Sequence, residues 1–299
     1  MKKALFVGYN AMGDTLCTTP ALRAFRRKNP DTFIIYVVQN SGFCRILDGN
    51  PDVDLLLYSE VLYANHGVRD LGMNWLRTLP LDLDEPAQVH HFYLPQAMTK
   101  PEYLHDHIAS NFARMLGVTL DSTRPTVTIT EPDRRAIGRF LRGRYVVFSM
   151  NSVTNPERES GNGRIKDWPP ERWFELAGWL RNEAKLEVIA IGAENDPQYD
   201  THLVRNLFGL PVKLTAALIE GAECLVTLEN GIAHLAAGLD APAVVIYSDS
   251  FPRGWAEHQG LSRTKVLYGD PGALPWESVR DAISEIISLE PSSLCASAS

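Results

Sequence analysis

The octapeptide Gly8-Tyr9-Asn10-Ala11-Met12-Gly13-Asp14-Thr15 has the spacing of the phosphate-gripping loop G-x-x-x-x-G-K-[ST], with an aspartate where the lysine stands. In that loop the lysine neutralises β- and γ-phosphates, and the hydroxyl after it holds Mg²⁺. A carboxylate in its place repels such a ligand, so nucleoside triphosphate binding is not expected. What the residues offer instead is a glycine-lined turn after an apolar strand, Ala4 to Val7, presenting one carboxylate at the mouth of an α/β sheet. Ligands bind at that edge of such sheets, and Asp14 is well placed there to act as a general base.

A second chemical junction is Glu229-Asn230-Gly231-Ile232-Ala233-His234, where a strand ends and a helix begins. The first helical N–H groups point out of the helix and its dipole favours negative charge, so the junction is a ready anion site. Asn230 is a natural cap, and His234, four residues on, shares its helix face. Glu229 would repel a diphosphate and suits ribose hydroxyls better. The plain alternative is an ordinary capped helix with a surface histidine. A third polar loop runs from Asn151 through Thr154 and Arg158 to Lys166-Asp167-Trp168-Pro169. Arg253 and Trp255 follow a strand end and could touch phosphate or base; a surface loop fits them equally well.

Metal signals are weak. Asp52-Val53-Asp54 and Asp82-Leu83-Asp84 mimic the D-x-D of metal-dependent glycosyltransferases, but the first follows Asn50-Pro51 and leads into a strand, as a turn does. In His105-Asp106-His107 the two imidazoles would point to different faces of a helix, so a solvated helix start is expected. Cys17, Cys44, Cys224 and Cys295 form no C-x-x-C pair, which suggests neither zinc nor a disulfide framework and fits a reduced cytosolic compartment. No metal and no cofactor are expected.

The elements that must position these groups alternate short apolar runs with helical patterns, the mark of parallel β/α units. Strands are expected at Ala4–Val7, Phe33–Val38, Val53–Leu57, Thr126–Thr130, Tyr145–Ser149, Leu186–Ile191, Cys224–Leu228 and Ala243–Tyr247. Helices are expected through Leu22 and Phe25, over 103–116, Glu131–Arg144, 171–182, near 197–208, over 231–239 and near 276–289. Trp173, Leu176, Ala177 and Leu180 repeat at i, i+3, i+4, i+7, with Pro170 suited to the first turn. Residues 61–100 show a poor pattern and read as an exposed or acceptor-shaping region.

At 299 residues the chain accommodates two α/β domains. The expected division is an N-terminal Rossmann-like domain over 1–130, a C-terminal Rossmann-like domain over 131–289 and a disordered tail over 290–299. A formal net charge of −7 argues against a nucleic-acid binder. The one dense basic run, Arg23, Arg26, Arg27 and Lys28, reads as the solvated end of the first helix, with contact to an anionic acceptor or a membrane surface as the alternative. The apolar run after Met1-Lys2-Lys3 is too short for a signal-peptide core, and no segment approaches the roughly 20 apolar residues that span a bilayer. A cytoplasmic protein, at most peripheral on the inner face of the membrane, is expected.

GYNAMGDT followed by Leu16 and Pro20-Ala21-Leu22, KDWPPERW at 166–173 and ENGIAHLAAGL at 229–239 together resemble glycosyltransferase family 9, the heptosyltransferase-like enzymes of lipopolysaccharide assembly. Order and spacing match over nearly the whole chain. The resemblance implies the GT-B fold, two Rossmann-like domains around a cleft. It further implies Asp14 as the base that deprotonates the acceptor hydroxyl, Lys166 against the donor phosphates, and Glu229, Asn230, Gly231, Ile232 and His234 in the nucleotide-sugar site. Thr154 and Arg253 are added on the donor side, and Asn10 and Gly13 on the acceptor side. Glu229 departs from the family's usual aspartate, and 61–100 from its usual pattern.

The expected activity is therefore metal-independent, inverting transfer of a sugar, heptose from ADP-heptose first, to a lipopolysaccharide-core or other glycan hydroxyl. A nucleotide-sugar epimerase of the same architecture and a catalytically silent glycan-binding protein are the competing readings.

Overall fold

A computed structural model describes residues 2–8, 11–60, 62, 88–92, 105–151, 166–196, 198–199, 202–250, 252–258 and 260–288. The chain divides into two units: 1–130 with 211–213 and 252–260, and the remainder. The second unit is thus not one continuous stretch from 131, because Pro211–Lys213 and Pro252–Gly260 pack with the first.

In the first unit, strands β1 (Lys3–Gly8), β2 (Phe33–Gln39), β3 (Leu55–Ser59) and β4 (Gln88–Phe92) form a parallel sheet in the order β3-β2-β1-β4. β4, lying inside the region that sequence left unread, pairs along β1 from Ala4↔Gln88 to Gly8↔Phe92. Its residues Gln-Val-His-His-Phe carry two histidines and little aliphatic character, which hid the strand. One face buries Leu5, Val7, Ile35 and Val37. On the other, Phe6 stacks against His90 and Phe92 and meets Phe25 edge-on, with centroids 4.9, 5.5 and 5.0 Å apart. Helix α1 (Met12–Lys28) follows β1 and buries eleven of its residues, including Gly13, Leu16, Leu22 and Phe25.

Helix α2 (Ile108–Met115) starts at His107, whose ring nitrogen caps it by accepting from the Ala109 amide at 3.0 Å. His105 is exposed, but His107 is buried, so the helix start is only partly solvated. No strand forms at Thr126–Thr130. Its polar groups bond to side chains and loops instead: the Thr126 amide to the Thr19 hydroxyl, 2.8 Å, and the Thr128 hydroxyl to the Gly49 carbonyl, 3.2 Å.

The second unit opens with α3 (Glu131–Gly138), which ends at Gly138 rather than running on to Arg144. Its sheet is six-stranded and parallel: β5 (Tyr145–Ser149), β6 (Glu187–Gly192), β7 (Arg205–Phe208), β8 (Cys224–Leu228), β9 (Ala243–Ser248) and β10 (Thr264–Gly269), in the order β10-β9-β8-β5-β6-β7. Helices α4 (Pro170–Asn182), α5 (Val212–Glu220), α6 (Gly231–Leu239) and α7 (Trp276–Ser288) accompany it.

The helix expected near 197–208 is not formed by the described residues. The Asn206 side chain ties back to Tyr199 N–H and C=O, and Arg205–Phe208 joins the sheet edge as β7, where its backbone groups find partners along β6. α5 and β10 had no counterpart in the sequence reading: one is almost continuously apolar, the other a half-buried edge strand. The 290–299 tail lies outside the described residues. Among those residues, no helix is long and apolar enough to cross a membrane.

The second core gathers Val146, Phe148, Trp168, Trp173, Leu176, Leu180, Val188, Val226 and Ile246, all at most 3 % exposed. Trp168 and Trp173 meet edge to face at 4.9 Å, and the Trp168 indole N–H donates to Leu274 C=O at 2.9 Å. KDWPPERW is therefore anchored by its tryptophans, with Pro169 capping α4 and Pro170 in its first turn.

Candidate functional site

In each sheet the strand order reverses beside one strand, and ligands of open α/β sheets bind at the carboxyl ends of strands flanking such a point. In the first unit the chain steps outward from β1 to β2 and β3 and then returns to β4 on the other side of β1. In the second it steps from β5 to β6 and β7, then returns to β8.

At the first reversal, Gly8 ends β1. A Cβ there would lie 2.6 Å from the Tyr36 hydroxyl, which is itself bonded to the Thr18 hydroxyl at 2.9 Å. That glycine is thus demanded by packing beneath the loop. The helix begins at Met12 after Ala11, which has no side-chain cap, so Asp14 lies within the first turn of α1 rather than in the loop before it. Half-buried there, it is the only acidic residue of that turn, at the positive end of the helix dipole. An ionised carboxylate is what a general base requires. Gly13 is buried beside it, and Asn10 lies outside the described residues.

At the second reversal, Asn230 caps α6. Its Oδ1 accepts from Ile232 N at 2.9 Å and Ala233 N at 3.3 Å. Its amide nitrogen donates to Ser149 Oγ, 3.3 Å, and Asn151 O, 3.1 Å, which fixes which way the side chain faces. Asn151 is held in turn by Asp196 (3.2 Å) and the Tyr199 hydroxyl (3.1 Å). Ser149, Asp196 and Tyr199 are members of this network that sequence reading passed over. Gly192 was the available signal: a Cβ there would lie 2.6 Å from Asp196 Oδ2, so a glycine at the strand end admits the aspartate.

Lys166 forms an ion pair with Glu229, and its ammonium also donates to the Glu229 carbonyl at 3.4 Å. The two side chains are 21 % and 12 % exposed. Burial pushes the Glu229 carboxyl upward from its ordinary range, and Lys166 opposes that shift. The lysine expected at phosphates and the glutamate expected at a ribose are therefore partners of each other in this structure. Gly231 and Ile232 form the first turn of α6, and His234 is buried on it, which removes the surface-histidine reading. Arg253 is exposed on the 252–260 segment, which packs with the first unit. Thr154 lies outside the described residues.

The other candidates have structural employment. Asp54 accepts from the Ile34 amide at 2.7 Å and pairs with Arg26. Arg23 donates to Arg124 C=O, Arg27 pairs with Asp121 and Lys28 donates to Gly117 C=O at 2.9 Å, so the basic run is engaged with its own unit. Asp82 and Asp84 lie outside the described residues. Cys17, Cys44 and Cys224 are buried and form no disulfide among the described residues.

Residues 95–269 match the model of glycosyltransferase family 9 (heptosyltransferase). The chain is 22 % identical to Lipopolysaccharide heptosyltransferase 1 of Escherichia coli K12, over 87 % of this chain and 93 % of that protein. The crystal structure of a family 9 glycosyl transferase from Veillonella parvula superposes with a TM-score of 0.72 at 18 % identity, over 97 % and 98 % of the two chains. That of E. coli heptosyltransferase WaaC with ADP-2-deoxy-2-fluoro heptose does so with a TM-score of 0.64 at 19 % identity, over 95 % and 99 %.

Proposed function

Because the chain belongs to glycosyltransferase family 9, we propose that it moves heptose from ADP-heptose to a hydroxyl of a lipopolysaccharide-core or related glycan acceptor, with inversion and without a metal. The observation that carries this reading is the cluster at the β5/β8 reversal: a half-buried lysine beside the capped start of α6, placed where sheets of this kind take nucleotides. The relative solved with an ADP-heptose analogue supports the donor, and the lipopolysaccharide heptosyltransferases support the acceptor class.

In the reaction the bond from the anomeric carbon to the diphosphate oxygen breaks as the acceptor oxygen attacks from the opposite face. Negative charge grows on the departing ADP. Lys166 and the positive end of α6 stabilise that charge, the work a divalent cation does elsewhere. Asp14 accepts the acceptor's proton as its oxygen attacks. Asn230 keeps the start of α6 rigid by taking the Ile232 and Ala233 amides, so the helix acts on the growing charge through its dipole.

The test is transfer from a panel of nucleotide sugars to lipopolysaccharide-core acceptors in excess EDTA. ADP-heptose turnover that EDTA leaves intact is the expected result. No transfer or hydrolysis with any donor overturns the reading, and sugar isomerised without acceptor turns it toward an epimerase.

A further inference from the structure

The Lys166–Glu229 pair has a consequence for donor binding, given the role proposed for Lys166 at the diphosphate. Glu229 sits at the end of a fully buried strand with its side chain 12 % exposed. Its amide is committed to the Ile246 carbonyl of β9 at 3.1 Å. Among the described residues Lys166 alone acts electrostatically on its carboxylate; Asp167, Asp196 and His234 on α6 do not. The extra methylene of glutamate over aspartate gives the carboxylate the reach to meet the ammonium.

A diphosphate carries more negative charge than one carboxylate, so it competes for Lys166. We propose that Glu229 takes up a proton when the donor's diphosphate binds: the phosphates draw Lys166 away, and the buried carboxylate, left without its charged neighbour, is held as the neutral acid. A buried carboxylate without a counter-ion favours its neutral form, and the incoming negative charge favours it further. The proton comes from solvent, and the pair's net charge rises by one, offsetting part of the charge the ligand brings in. The neutral carboxyl also becomes a donor, able to bond a ligand oxygen that the carboxylate would repel.

Proton linkage fixes the sign. The bound state holds Glu229 protonated at higher pH than the free state does, so affinity is greatest at low pH and declines as pH rises through the bound-state value, by up to about tenfold per pH unit. The experiment is calorimetric titration of the full chain with ADP in buffers of different ionisation enthalpy, between about pH 6 and 9. Wild type is expected to absorb about one proton more per ADP than Glu229→Gln over part of that range. Release of ADP's own phosphate proton is common to both proteins and cancels.

Lys166→Met is expected to lose the extra uptake as well, because burial without a charged neighbour favours neutral Glu229 before ligand arrives. Melting curves confirm that both variants are folded. Equal proton counts in wild type and Glu229→Gln overturn the proposal and mean that Lys166 bridges carboxylate and phosphate together. Uptake that survives in Glu229→Gln assigns the proton to another group and overturns it too. No binding heat with ADP, GDP, UDP or dTDP overturns the underlying nucleotide-site reading, an outcome distinct from binding without proton uptake.

Discussion

The junction from β1 to α1 and the junction from β8 to α6 use the same backbone device and do opposite things with it. Each follows a buried parallel strand at the point where its sheet reverses order. At the first, the helix start has no side-chain cap and carries a carboxylate inside its own first turn, at the positive end of the dipole. At the second, Asn230 closes two helical amides, and the carboxylate stands one residue before the cap, matched to a lysine from another loop. The acid just inside a helix start is the one proposed to accept a proton. One placed just outside, buried and paired, governs the charge of its neighbour. The division suits a reaction that removes a proton from one substrate and stabilises a departing phosphate on the other.

The largest effect that tests this contrast is on Asp14. Asp14→Asn should cost about 10²–10⁴-fold in turnover, read in steady-state assays at saturating donor. Its melting temperature should barely move, since a carboxylate in a helix's first turn contributes only about 0.3–1 kcal/mol. Lys166→Ala should cost about 10²–10³-fold, as loss of one preorganised electrostatic donor does. A fall in stability that matched the fall in rate for either variant would make that residue structural and erase the contrast.

The units also differ in how they bury ionisable groups, and pH sharpens that difference. The second unit keeps a charged pair, whereas the first keeps His107 and His258 with ring centroids 4.5 Å apart. Burial drives both imidazoles down, His258 from 6.5 to about 4. At His258 the unfolded chain binds a proton below about pH 6.5 and the folded chain only near pH 4, so unfolding takes up a proton in between, and His107 acts in the same direction. Stability is therefore fully present above about 6.5 and declines toward 4, a slope thermal melts should show and His258→Gln should flatten. The smallest effect is on the cap: Asn230→Ala should lose about 1 kcal/mol of stability, measured by denaturant titration, and weaken ADP binding.

Much of this arrangement was legible in sequence. Apolar runs such as Ile34–Val38 and Val146–Phe148 can only be buried strands, and Trp173, Leu176, Ala177 and Leu180 set the buried face of α4. Asn230 before Gly231 announces a capped helix. What escaped depended on partners distant in sequence. β4 is a strand because β1 offers it a ladder, not because Gln-Val-His-His-Phe demands one. Thr126–Thr130 has strand-like residues, but side-chain hydroxyls and loop carbonyls take its bonds. The pairing of Lys166 with Glu229 spans 63 positions, and no local pattern encodes it.

Gly8 carries a lesson about motifs. The first glycine of GYNAMGDT is held in place from below by Tyr36, whose ring and hydroxyl lie 2.6 to 3.1 Å from where a Cβ would stand. Positions 8 and 36 are therefore bound to change together. An alanine at 8 becomes compatible with this fold only if a smaller side chain replaces the tyrosine, and that replacement strips the Thr18 hydroxyl of that partner and opens a void under α1. A search that scores this glycine as a ligand contact is reading the shadow of a tyrosine 28 residues away.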